Sequence, residues 1–171
     1  MDRGSERVVR EVRQEVRRER EFAEAAEAEH DASTSSFPVA LMGLGSQGVE
    51  LMIELPDRQL VGRICHVGSE LVTLENLGGE RFDIATWAIA GVRLTRGQAR
   101  PISVSTGHPG SLVARLREVL VSQEAVALSR RIGAPMSGRL RACSETHVEG
   151  VDHNGSHWLL PLPMITWIAR I

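Results

Sequence analysis

Four side chains with metal-binding chemistry, Cys143, His147, His153 and His157, fall within fifteen residues. Thiolate and imidazole together form the donor set of a zinc site. Their spacing fits no standard zinc pattern. Cys143 and His147 also stand where an earlier, similar stretch has Val67 and Leu71, so their positions read as apolar ones. A buried thiol beside a hydrogen-bonded imidazole is the expectation, with no metal and no cofactor. Cys65 and His66 are the other thiol–imidazole neighbours. Adjacent residues of a strand point to opposite faces, so the two do not form a nucleophile–base pair. Gly43-Leu44-Gly45-Ser46-Gln47-Gly48 spells G-x-G-x-x-G, but an alternating strand pattern follows it where a phosphate cradle needs a helix. No catalytic constellation is left, and the chain reads as a non-enzyme.

Arginine is the remaining chemistry. All 20 basic residues are Arg, with no Lys and no Tyr. GC-rich codon usage explains that choice, and selection for bidentate phosphate contacts is the alternative. The net charge of −2 is unevenly spread. Residues 1–31 carry −3, 32–92 carry −4, 93–141 carry +7 and 142–171 carry −2. Arg115, Arg117, Arg130, Arg131, Arg139 and Arg141 lie in the basic block and are the candidate nucleic-acid contacts. Strand alternation puts Arg139 and Arg141 on one face, with Leu140 opposite. The competing expectation is internal pairing of this block with the acidic segments before it. Aromatic residues are only 4% of the chain, and Phe82, Trp87 and Trp158 read as core or turn residues rather than a stacking platform.

These residues are positioned by a repeat. Gly62–Val92 falls without a gap on Gly138–Ile168 after a shift of 76. Gly62-Arg63-Ile64 meets Gly138-Arg139-Leu140, Gly79 meets Gly155, Phe82 meets Trp158, and Ile84 meets Leu160. Period-2 alternation and turn residues predict strands over 49–55, 60–67, 71–75, 81–85 and 89–94, then over 126–132, 136–142, 147–151, 158–160 and 165–171. Asn154-Gly155 suits a type I′ hairpin turn. Pro161 and Pro163 mark a bend, because proline has no place in a central strand. Ser111 caps a predicted helix over 112–121. Residues 37–48 are apolar with three glycines and fit a short helical turn.

The organisation that follows is a charged helix in 1–31, a first β unit over 32–94, a linker over 95–110 and a second β unit over 111–171. The helix over 5–31 has a thin apolar stripe and reads as solvated; a short coiled coil that makes a homodimer is the alternative. Two cysteines make no disulfide framework, no apolar run is long enough to span a bilayer, and the first residues, charged from Asp2 onward, do not read as a signal peptide. A cytoplasmic location without membrane contact is expected.

The series Gly62, Ile64, Val67, Leu71, repeated as Gly138, Leu140, Cys143, His147, resembles the first signature of the Sm-like family, a small SH3-like barrel. The arrangement is also similar to small actinobacterial proteins built from an N-terminal helix and such a barrel. The resemblance implies a mainly β (α+β) chain of two tandem five-stranded Sm/SH3-like barrels. Pseudo-twofold packing of the two would cover their edge strands. RNA-binding members of the family carry an Asp and an Asn after the second strand. Here those places hold Gly68 or Ser144, and Val72 or Val148. The Gly before the last strand is replaced by Ala85-Thr86-Trp87-Ala88 and by Pro161-Leu162-Pro163-Met164. The expected function is a binding or scaffold module acting through an unknown protein partner, with RNA or DNA binding through the Arg face as the alternative.

Overall fold

The computed structural model describes residues 36–95 and 110–171. The helix expected over 5–31 and most of the linker lie outside the described residues. The chain divides into two units, Met1–Ala40 and Leu41–Ile171, and both repeats lie in the second.

The protein is mainly β. Helix α1 (Phe37–Ser46) leads to strands β1 (Leu51–Glu54), β2 (Gln59–Val67), β3 (Leu71–Glu75), β4 (Arg81–Ala85) and β5 (Gly91–Leu94). Helix α2 (Leu112–Ser122) leads to β6 (Ala125–Arg130), β7 (Met136–Cys143), β8 (His147–Val151), β9 (His157–Pro161) and β10 (Ile165–Arg170). A single turn of 3-10 helix precedes each repeat's last strand, at Thr86–Ala88 and Leu162–Met164. The ten strands of the described residues join one open antiparallel sheet in the order β5-β1-β2-β3-β4-β10-β6-β7-β8-β9. Each repeat therefore contributes the same internal order, its fifth strand beside its first.

The expected pseudo-twofold packing is not what joins the repeats. A twofold axis would pair the same strand of each copy. Instead the fourth strand of the first repeat, β4, pairs with the fifth of the second, β10. The repeats follow one another head to tail, and β5 and β9 are left as the edges of the sheet.

Local chemistry explains most of the elements. β1 reads buried, half-buried in alternation, and the apolar set Leu51, Ile53 and Leu55 turns into the core. β2 and β7 each carry a bulge in register, between Ile64 and His66 and between Leu140 and Ala142. Bulges bend a strand and deepen its twist. Gly62 and Gly138 sit just before them, where backbone approaches closely: a Cβ would stand 2.3 Å from the Glu75 carbonyl oxygen and 2.1 Å from that of Val151. The Asn154-Gly155 hairpin departs from type I′, which needs positive φ at both residues. Gly155 has φ of +80°, but Asn154 is not in the left-handed region. The Asp152 side chain takes over, accepting from the Asn154 and Ser156 backbone N–H groups. Asn76 does the same one repeat earlier for Gly78 and Glu80.

Ser111 caps α2 as expected, its hydroxyl accepting from the Ala114 N–H at 3.2 Å. Residues 37–48 give a longer helix than expected, with Gly43 and Gly45 inside it and Gly48 (φ +63°) after its end. The G-x-G-x-x-G glycines thus lie at a helix C-terminus, the wrong pole for an anion.

Two core clusters result. One holds Leu41, Ile53, Ile64, Leu74 and Ile84 and takes in Trp167 and Ala169 of β10. The other holds Leu116, Leu128, Leu140, Val148 and Ile165 and takes in Leu71 of β3. Each repeat completes its core with residues of the other.

Candidate interaction surfaces

The densest polar chemistry lies at the joint between the repeats. Asp83 of β4 and Arg115 of α2 are both buried, and Arg115 donates from Nε to Asp83 Oδ2 at 2.5 Å. Arg115 also donates to Glu118 at 2.7 Å, and Thr73 Oγ1 donates to the other oxygen of Asp83 at 2.7 Å. Burial lowers the Arg115 pKa, but the bonds and charges of Asp83 and Glu118 outweigh it and hold the guanidinium above its ordinary value. On the other side of the joint the β1–β2 turn reaches into the second repeat. Asp57 accepts from Ser129 Oγ at 2.7 Å and from the Trp167 indole at 3.4 Å, while Arg58 lies 4.6 Å over the Trp167 ring. Gly68 and Gly110 close the joint: a Cβ on Gly68 would stand 2.5 Å from Gly110 Cα.

The six candidate arginines do not share one site. Arg115 is consumed by the buried joint. Arg117 is bonded to Glu145 at 2.5 Å. Arg130 donates to the Ala134 carbonyl at 3.0 Å, within its own turn, and Arg131 is exposed beside it. Arg139 and Arg141 are exposed on β7. Arg139 lies opposite Ala125, at the far end of β6 from Arg130. Five residues of strand separate the two levels, about 17 Å at the usual rise. The bulge leaves Arg141 without a partner in β8. Other arginines are paired too: Arg93 with Glu54 at 2.9 Å, Arg81 with Glu75 at 2.7 Å and Arg170 with Glu124 at 3.1 Å.

Among the described residues no group of three or more His, Cys, Asp and Glu side chains is arranged to hold a metal ion. His147 Nδ1 is within 3.0 Å of both the Ser144 and Thr146 hydroxyls, and its Nε2 is 3.4 Å from Glu149. Cys143 is half-buried beside the Ser144 carbonyl, and Cys65 lies 3.5 Å from the Thr73 carbonyl. Desolvation pushes both thiols above their ordinary pKa, which makes them poor nucleophiles.

Charge counting alone gave no sign of the sheet edges. Among the described residues β9 is bonded only to β8 and β5 only to β1. Leu159 of β9 and Leu94 of β5 are 60% and 62% exposed. Trp158 of β9 packs on Gly150, and its indole nitrogen is buried with no hydrogen-bond partner. A shallow groove at the joint, lined by Glu70, Trp87, Leu112, Leu162 and Pro163, also presents Trp87 40% exposed. No helix of the described residues is long and apolar enough to cross a membrane. No protein-family model matches this chain, and no curated protein matches it by sequence.

Proposed function

We propose that this chain is a non-catalytic binding or scaffold module that works through protein–protein contacts, built from two Sm-like units of five strands each. The repeated order, fifth strand beside first, and the matched bulges after Gly62 and Gly138 support the two-unit reading. One observation carries the functional reading. The arginines best suited to phosphate are bonded to carboxylates or spread along the strands, while the unpaired edges carry exposed apolar side chains. Unpaired backbone flanked by apolar residues recruits other polypeptide by strand addition. A cytoplasmic setting suits two thiols that remain free.

The test is binding of the purified chain to labelled single- and double-stranded RNA and DNA at low and moderate salt. No binding at low salt is the expected result. Binding that weakens steeply with salt and disappears in the Arg139→Ala/Arg141→Ala variant would overturn the reading in favour of nucleic acid.

A further inference from the structure

We infer that the chain associates with copies of itself head to tail, β9 of one copy adding to β5 of the next. The joint inside the molecule supplies the template. There Asp83 pairs with Ile168, Ile84 with Trp167 and Phe82 with Ala169. The 76-residue shift carries the β4 side of that joint onto Trp158, Leu159 and Leu160 of β9. The reverse shift carries the β10 side onto Gly91, Val92 and Arg93 of β5. Among the described residues the molecule thus holds one used copy of the joint and, at the two edges of its sheet, one unused half of each kind.

The unused halves fit each other in chemistry as well as in order. Leu159 faces Val92, an apolar pair where the internal joint has Asp83 and Ile168. Bulk has moved across the seam: Trp158 replaces Phe82, and Gly91 replaces Trp167. The backbone is also poised. Leu162 N–H bonds to the Thr146 carbonyl and Asp152 N–H to the Ser156 carbonyl, so Ser156, Trp158 and Leu160 turn their backbone groups toward β8. Leu159 turns its N–H and C=O outward. On β5, Thr95 N–H bonds to the Glu50 carbonyl, which turns the backbone of Val92 outward by the same alternation. Pro161 offers the seam no N–H, but it lies beyond the Trp158–Leu160 stretch that the template pairs.

Charge complements the seam a second time. Inside the molecule, the turn carrying Asp57 reaches Ser129 of the next repeat. The equivalent turn of the second repeat follows Arg130 and carries Arg131 and Ile132, the last 76% exposed. The ladder position of Ser129, opposite Trp167, is held in the first repeat by Glu54, opposite Gly91. A basic turn on one copy therefore meets Glu54 of the next, a carboxylate that already holds Arg93 at 2.9 Å. Such a contact uses different surfaces on the two partners, so it propagates to a ring or a filament rather than stopping at a dimer. The inference stands apart from the scaffold reading: self-association without any other partner would keep it and remove the other.

The experiment is sedimentation velocity of the full chain across a wide concentration range, for the wild type, Leu159→Pro and Val92→Pro. Each proline removes one outward donor and leaves the opposite end intact. Wild-type mass is expected to rise with concentration beyond a dimer. Each variant alone is expected to stay monomeric, and an equimolar mixture of the two to form a capped heterodimer. Circular dichroism checks that the variants fold. If either does not, Glu54→Arg and Arg131→Glu take their place: each alone is expected to weaken association about tenfold and the double variant to restore it. A wild type that is monomeric throughout overturns the inference. So does a dimer that ignores every substitution, which would point instead to the segment 5–31.

Discussion

Asp83 shows how much one carboxylate can hold. It is buried, faces Arg115 of the other repeat and is bonded by Thr73. Removing one partner of a buried pair strands the other charge, so Asp83→Ala should cost about 3–5 kcal/mol, measured by denaturant unfolding. Changing both partners to Leu should cost clearly less than the single change, because no charge is left stranded. The second repeat already carries Leu159 at the place of Asp83. In the sequence, Arg115 counts only as one of nine arginines in a basic block. Its partner lies 32 residues earlier, across a joint whose strand pairing no local pattern specifies. The histidine and cysteine reading was more accessible. Lining His147 up with Leu71 led to a hydrogen-bonded imidazole, and the structure gives His147 hydroxyl partners from the adjoining turn.

At the scale of the elements, strands were the legible part. Alternation and turn residues mark a half-buried strand without reference to anything distant. Helix α1 was harder to read. Gly43 and Gly45 each cost about 1 kcal/mol of helix propensity, and the helix is held by packing Leu41 into the first core. Packing of that kind leaves no trace in local sequence. The 3-10 turn before β10 was read only as a bend and the one before β5 was not read at all, since neither has a side-chain cap. The glycines of the two bulged strands make a testable pair. Gly62→Ala and Gly138→Ala each drive a methyl into backbone rather than into a movable side chain. Each should lower stability by at least the roughly 1–3 kcal/mol typical of overpacking, seen as a lower thermal midpoint. Gly79→Ala meets nothing and tests instead the strain of φ +80°, so its loss should be smaller.

On the whole-molecule scale, the repeat was visible but the way its copies meet was not. Hydrophobic alternation says that a strand has a buried face; it does not say which edge joins which. Head-to-tail pairing makes the two cores interdependent, since Trp167 and Ala169 complete the first and Leu71 the second. A fragment ending at Ala99 should therefore lack a cooperative thermal transition. A sharp sigmoidal melt of that fragment would show that the first repeat stands alone. The joint also has a meaning in time. Asp83 waits for Ile168, 85 residues further along the chain. At 5–20 residues per second, a ribosome needs roughly 4–17 s to supply that strand. For most of that interval, once Leu94 has been added, the first repeat is complete in sequence yet open at β4, a bare edge in a crowded cell. The nascent chain is then a natural client for a chaperone, and slowing translation after Ala85 should raise the share of it that aggregates.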